Sequence, residues 1–527
     1  MTTPRNGRDR LGKHVRSSLT GVAVVTPVDA YLAEQRSLTV VDAFARRHDE
    51  GRLEGRGRRY RDLVPLSAPG PGEQYAFEVD LDACSGCKAC VTACHNLNGL
   101  DPTETWRTVG VLVASEEPVA PQHVTTACHH CLDPGCLKGC PAAAYEKDPL
   151  TGIVAHLDDQ CIGCRYCELT CPYEVPVYSP ARGIVRKCDL CRGRLAQGEA
   201  PACAQACPTG AIRVTLVDTT GITGEGVLVP GAPSSATTRP TTVYRTSRTL
   251  PDTPVERWPP RPAKPHPPLT VMLVLTQLAI GASLIGTAGG RVHTGNRALT
   301  ALLVLLVGTI ALGASVLHLG RPRHAWRAVL GLRTSWLSRE ILALGAFSVA
   351  TAAHALALAS DLRVADALGT AASATGAAAI TCSAMIYAVT GRRWWRLRTT
   401  LARFSGTAVV CGAATVLAVT GREGLGALVA IATAIHVGSE LLVLLHWHAG
   451  GDPELQRTAR LLLGELRPLL GWRVGLAAVG ALAALAARTG TMLFAAPAWL
   501  ALVAGEMISR WLFFVAVAPA RMPGAAP

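Results

Sequence analysis

The sequence predicts an α+β protein in two unlike parts: a cysteine-rich domain of short strands and turns, then a bundle of eight transmembrane helices. Three observations carry this expectation. Sixteen of the 18 cysteines fall between Cys84 and Cys207, in four groups of four. From about Thr270 onward the chain runs through eight long, almost uncharged stretches, which lift its mean hydropathy above zero. Between the two parts, runs such as Pro230-Gly231-Ala232-Pro233 and Pro259-Pro260-Arg261-Pro262 cannot hold a helix and provide little to bury. At 527 residues the chain is also too long for one ordinary domain.

The N-terminal segment, residues 1–74, is basic and of mixed polarity. Within it, Tyr31, Leu32, Leu38, Val41 and Phe44 recur at spacings loosely suited to a helix over Val28 to His48. A helix that docks a partner and a helix lying on the next domain both fit that pattern. No export signal is expected here. The apolar stretch from Leu19 to Val25 is too short, and Arg46-Arg47 leads into His48-Asp49-Glu50 rather than into an apolar core.

The cysteine-rich domain spans 75–216, a linker 217–268, the membrane domain 269–518 and a short tail 519–527. A helix needs roughly 20 residues to cross the hydrocarbon layer. Spans are expected near 269–289, 298–318, 340–360, 366–389, 400–420, 424–446, 470–488 and 493–516. The formal charge of +13 comes from arginines in the tail, the linker and the short loops between apolar runs. No basic stripe interleaved with aromatics appears, so nucleic acid is not an expected partner.

The cysteine spacings identify the chemistry. Cys84, Cys87, Cys90 and Cys94 form C-x2-C-x2-C-x3-C, and Cys161, Cys164, Cys167 and Cys171 repeat it. Cys128, Cys131, Cys136 and Cys140 form C-x2-C-x4-C-x3-C; Cys188, Cys191, Cys203 and Cys207 form C-x2-C-x11-C-x3-C. The last three groups end in Cys-Pro. A cubane cluster offers four irons, each wanting one thiolate. A tight loop wraps three corners, and a fourth cysteine placed after x3 reaches the neighbouring cluster, so motifs work in pairs. Disulfides rarely show triplets this tight, and structural zinc uses isolated C-x2-C pairs. Repetition of the quartet four times predicts four [4Fe–4S] clusters in a ferredoxin-like domain. Cys382 and Cys411 lie in apolar runs and read as small core residues.

The run Cys128-His129-His130-Cys131-Leu132-Asp133-Pro134-Gly135-Cys136, with Cys161-Ile162-Gly163-Cys164-Arg165-Tyr166-Cys167 and Cys171-Pro172-Tyr173, resembles the electron-transfer subunit of the dimethyl sulfoxide reductase family over about 77–215. The resemblance implies a partner: a molybdenum catalytic subunit carrying a bis-pterin guanine dinucleotide cofactor. It also implies a crossed pairing. Cys207 would join Cys84, Cys87 and Cys90, and Cys94 would join Cys188, Cys191 and Cys203. Cys171 would join Cys128, Cys131 and Cys136, and Cys140 would join Cys161, Cys164 and Cys167. Some relatives replace one cysteine and hold a three-iron cluster; all sixteen are present here.

Ionisable residues inside spans are costly and suggest function. His318 ends the second span and Glu340 opens the third, around Leu319-Gly320-Arg321-Pro322 and Ser335-Trp336-Leu337-Ser338-Arg339. These runs resemble the eight-span anchor subunit of the same family, where a histidine and a glutamate serve menaquinol. Gly505-Glu506, Arg510 and Phe513-Phe514 resemble its last span, which adds Glu506 to the quinone candidates, although pairing with Arg510 would explain it equally. Topology supports His318 and Glu340 independently, since the second span returns to the side from which the first departs. A histidine and a carboxylate there can take the protons of a menaquinol or ubiquinol while a cluster takes its electrons.

His354 and His436 would instead be the ligands of a haem-containing anchor of formate dehydrogenase or hydrogenase type. A membrane adaptor that mainly tethers a partner is the other alternative. Lysines and arginines flanking the spans are about three times as many on the cluster side as on the other. The positive-inside rule then puts the clusters on the cytoplasmic side of a cytoplasmic membrane.

Overall fold

The computed structural model describes residues 62–113, 121–251, 261–288, 294–422, 424–487 and 492–524, with only isolated positions before residue 62. The helix expected over Val28 to His48 lies almost wholly outside the described residues.

The cysteine-rich domain hangs on one three-stranded sheet. Strand β1 (Glu73–Asp80) is its centre. Three two-stranded antiparallel ribbons follow: β2 (Thr108–Leu112) with β3 (Gln122–Thr126), β4 (Tyr145–Lys147) with β5 (Val154–His156), and β6 (Val177–Ser179) with β7 (Ile184–Arg186). Strand β8 (Ile212–Asp218) runs antiparallel to β1, and β9 (Val243–Arg245) adds parallel on its other edge. Five short helices interrupt them: α1 (Ala89–Asn98), α2 (Gly135–Gly139), α3 (Tyr166–Thr170), α4 (Arg192–Leu195) and α5 (Ala202–Gln205). Helices α1, α2, α3 and α5 each carry buried cysteines, so local helix formation aims thiols inward.

Much of the expected linker belongs to this domain. Beyond β8 the chain lays β9 on the main sheet, buries Val229 and Ala232, and lets Thr241 Oγ1 donate to the His129 carbonyl at 2.8 Å. Proline excludes a helix but not an extended strand on a sheet edge, so composition alone misled here.

Among the described residues, eight helices long and apolar enough to cross a membrane follow. They are α6 (Pro267–Ala288), α7 (Thr294–Val316), α8 (Trp336–Ala359), α9 (Ala365–Ala388), α10 (Leu397–Thr420), α11 (Leu425–Ala449), α13 (Arg467–Ala486) and α14 (Ala495–Val515). Leu302, Leu306, Ile310, Leu342, Val349, Ile435, Leu442 and Leu482 point outward, as lipid-facing side chains do. Small residues face inward. A Cβ on Gly281 of α6 would stand 1.8 Å from the Ala408 carbonyl of α10, so these helices meet backbone to backbone. A short amphipathic helix, α12 (Pro453–Leu463), was not foreseen; Asp452 caps it by accepting from the Glu454 and Leu455 amides.

The two domains interlock. Between α7 and α8, Gly320 N donates to Gly163 O (3.3 Å), Arg321 N to Ile162 O (3.1 Å) and Gly331 N to Pro141 O (2.8 Å), while Ser335 Oγ donates to Gly139 O (2.7 Å). Past α14 the tail returns to bury Met522 among Val79, Leu81, Leu112 and Val124. Arg521 pairs with Glu174 at 3.2 Å, and Arg392 reaches the same carboxylate at 3.6 Å.

Candidate functional site

All four motifs share one backbone device. The residue before the second cysteine is left-handed in each: Gly86 (φ 73°), His130 (42°), Gly163 (70°) and Leu190 (59°). His130 and Leu190 hold this conformation without glycine, at a cost of about 1–3 kcal/mol each. Their complete burial keeps them there. A second device follows every Cys-Pro: the third residue after the cysteine is left-handed, at Ala143, Glu174 and Gly210. The turn aims the next amide at the sulfur, so Ala144 N donates to Cys140 Sγ (3.2 Å) and Ala211 N to Cys207 Sγ (3.3 Å).

These turns bring the cysteines into crossed groups. Cys84, Cys87, Cys90 and Cys207 line one cavity of ≈ 290 Å³. Cys128, Cys131, Cys136 and Cys171 line another of ≈ 360 Å³. Cys140 joins Cys161, Cys164 and Cys167 around a third of ≈ 290 Å³. Cys94 stands within electrostatic reach of Cys188, Cys191 and Cys203. Among the described residues no three Cys, His, Asp or Glu side chains are close enough to share a single ion. Four thiols spread around a cavity suit a cubane rather than one zinc ion. Burial pushes the Cys94 thiol up to about 12 and Cys171 up to about 11, so thiolates form there only with a compensating cation.

Three side chains bridge successive groups, and cysteine spacing gave no sign of them. Tyr145 lies beside Cys167, Cys136 and Cys140. Lys187 Nζ donates to Cys188 O (2.8 Å) and to the Val154 carbonyl, 3.6 Å from Cys128 Sγ. Arg107 stands among Cys203, Cys90, Cys188 and Cys94.

The group completed by Cys140 faces the helical bundle. Tyr166, between Cys164 and Cys167, inserts its hydroxyl into the bundle and donates to Ile386 O at 2.8 Å. There it lies within electrostatic reach of both Glu340 and Cys164. Glu340, on the first turns of α8, is 3 % exposed and accepts from Ser383 Oγ. His318 sits just past α7, not inside it, where it faces Arg165 and His266. Burial holds its imidazole below the usual histidine range against the Ser315 carbonyl, and Arg165 adds to the depression. His266 is pushed down to about 4 by burial and by Arg165 and His318.

Comparison with known proteins matches both halves. Residues 119–216 match a 4Fe-4S dicluster domain, and residues 264–515 match the DMSO reductase anchor subunit. The B subunit of the anaerobic dimethyl sulfoxide reductase of Escherichia coli K12 is 36 % identical over 154 residues, 28 % of this chain and 75 % of that protein. Its Haemophilus influenzae counterpart is 34 % identical over 156 residues, 28 % of this chain and 76 % of the other. The chain belongs to the dimethyl sulfoxide reductase family. Within it, the chain is a fusion of the iron–sulfur and anchor subunits. It is also similar to the formate dehydrogenase-O iron-sulfur subunit of E. coli K12, 36 % identical over 157 residues, 27 % of this chain and 52 % of the other.

In the anchor half of the fusion, Glu506 has partners other than His318 and Glu340. It accepts from Arg473 (2.6 Å) and Thr407 (2.6 Å), and lies 3.5 Å from His436. The expected ion-pair partner, Arg510, instead donates to Gln277 (2.8 Å) and Thr407 (3.1 Å). His354 hydrogen-bonds Ala365 O (2.7 Å), whereas His436 packs on Gly406 and Glu506; the two do not form a facing pair.

Proposed function

We propose that this fusion carries electrons between the membrane quinone pool and a separate molybdenum subunit holding a bis-pterin guanine dinucleotide cofactor. All sixteen cysteines would hold four [4Fe–4S] clusters in the crossed groups, and menaquinol or ubiquinol would react near His318 and Glu340. The observation that carries the reading is Tyr166, which lies beside both Cys164 and the buried carboxyl of Glu340. Bound clusters supply one-electron exchange, so the two electrons of a quinol leave singly.

The chain's own residues handle the protons. Glu340 and the neutral imidazole of His318 are bases on the cluster side of the bundle, and each can accept one proton from a quinol hydroxyl. Ser383 orients the Glu340 carboxyl. The reverse flow, from substrate to quinone, uses the same groups as acids. Cations flanking the spans, about three times as many on the cluster side as on the other, support a cytoplasmic position for the iron–sulfur domain, in a cytoplasmic membrane.

Quinol oxidation by membranes holding the full chain and its catalytic partner tests the site. Glu340→Gln and His318→Gln are expected to lower turnover by two to four orders of magnitude, the range of a lost general base, with iron content unchanged. Unchanged turnover in both variants would remove the site.

A further inference from the structure

Among the described residues, two buried cations in the iron–sulfur half have no carboxylate paired to them. Arg107 is 2 % exposed and Lys187 3 % exposed. Two other buried arginines have carboxylates: Arg186 pairs with Glu104 at 2.9 Å and Arg473 with Glu506 at 2.6 Å. Among the described residues Arg107 has no such ion pair. Its Nη1 donates to Thr125 Oγ1 at 3.2 Å, its guanidinium lies 4.4 Å from the Phe77 ring centroid, and Nη2 finds no partner. Lys187 meets backbone carbonyls and Cys128 Sγ, and again no carboxylate among the described residues. A guanidinium keeps its charge at any accessible pH, and burying it alone costs far more than a domain can absorb.

The missing anions are the cysteine groups. Arg107 stands among Cys203, Cys90, Cys188 and Cys94, and the Thr125 hydroxyl that accepts from its Nη1 lies 3.6 Å from Cys90 Sγ. Cys90 belongs to the Cys207 group and the other three to the Cys94 group, so Arg107 occupies the gap between them. Lys187 occupies the next gap, between Cys128 and Cys188.

We propose that Arg107 and Lys187 are potential-setting cations, each placed between two cluster sites so that its fixed charge stabilises the reduced state on both sides. The proposal rests on the four-cluster reading above. Each one-electron reduction adds a negative charge to a cluster, and a nearby cation in a low-dielectric interior favours that state. The same cation screens the repulsion between two reduced neighbours.

Potentiometric EPR titration of the full chain in its membrane tests this. Wild-type protein without four [4Fe–4S] couples would sink the underlying reading, and that failure is separate from failure of the present one. Arg107→Gln is expected to lower the couples of the Cys207 and Cys94 groups by at least tenfold in the one-electron equilibrium, about 59 mV, and leave the other two in place. Lys187→Met is expected to lower the couples of the Cys171 and Cys94 groups instead. Arg107→Lys keeps the charge and is expected to load its clusters with near wild-type couples. Unmoved couples in loaded R107Q and K187M, or an equal fall of all four, would overturn the proposal. Should R107Q lose clusters, R107K decides: its loss of clusters, or loaded clusters with both couples fallen, would overturn it too.

Discussion

Arg165 and Tyr166 are neighbours in the third motif, yet they face the two candidate proton acceptors separately. Arg165 lies against His318 and His266, while Tyr166 lies against Glu340. The His318 imidazole is held below its usual 6.5, so the folded chain binds fewer protons there than the unfolded chain. Its contribution to stability is lost as pH falls below 6.5, and so is its capacity as a base. Quinol turnover is therefore expected to show an acid limb with an apparent pKa below 6.5, seen in a pH profile and missing from any residual activity of H318Q. The cysteines permit a sharper expectation. Cys207 lines the cavity of the first motif, not of its own. In Cys207→Ser the first-motif cluster should be lost or converted while the Cys94 group keeps its signal, as EPR would report. Loss confined to the Cys94 group would refute the crossed pairing.

At the scale of elements, the joint between domains is the loop between α7 and α8, which holds the Leu319-Gly320-Arg321-Pro322 run. Gly163 in the third motif, Gly183 and Gly320 meet with almost no room: a Cβ on Gly320 would stand 2.1 Å from Gly183 O, and one on Gly163 2.4 Å from the same oxygen. Gly320→Val should push the loop off the cluster domain. Quinol oxidation would fall sharply while the clusters proposed for the Cys207 and Cys94 groups persist; the check is turnover alongside iron content. Inside the bundle, Gly281 plays the matching part. Gly281→Leu forces α6 from α10, and overpacking of this kind costs about 1–3 kcal/mol or more. A lower midpoint of thermal aggregation in detergent would register it.

For the whole molecule, the tail after α14 returns to the iron–sulfur domain, where Met522 is buried and Arg521 meets Glu174. The C-terminal end of the anchor is thus fastened to the cluster domain, and a reporter fused after Pro527 is expected to read the domain's side. It is expected to be active only inside the cell; activity outside would reverse the orientation. The sequence by itself determined the four quartets, the cluster class and the eight spans. Thiol spacing and unbroken apolar length are local properties, and local patterns survive in one dimension. Only the tertiary structure decided that the proline-rich stretch after β8 completes the sheet, that Glu506 answers to Arg473 and His436, and that Arg107 and Lys187 stand between cysteine groups with no carboxylate paired to them among the described residues. Each of those facts joins residues far apart in the chain. A lone arginine or lysine carries no spacing signal, and its meaning comes from the charges that folding places, or fails to place, around it.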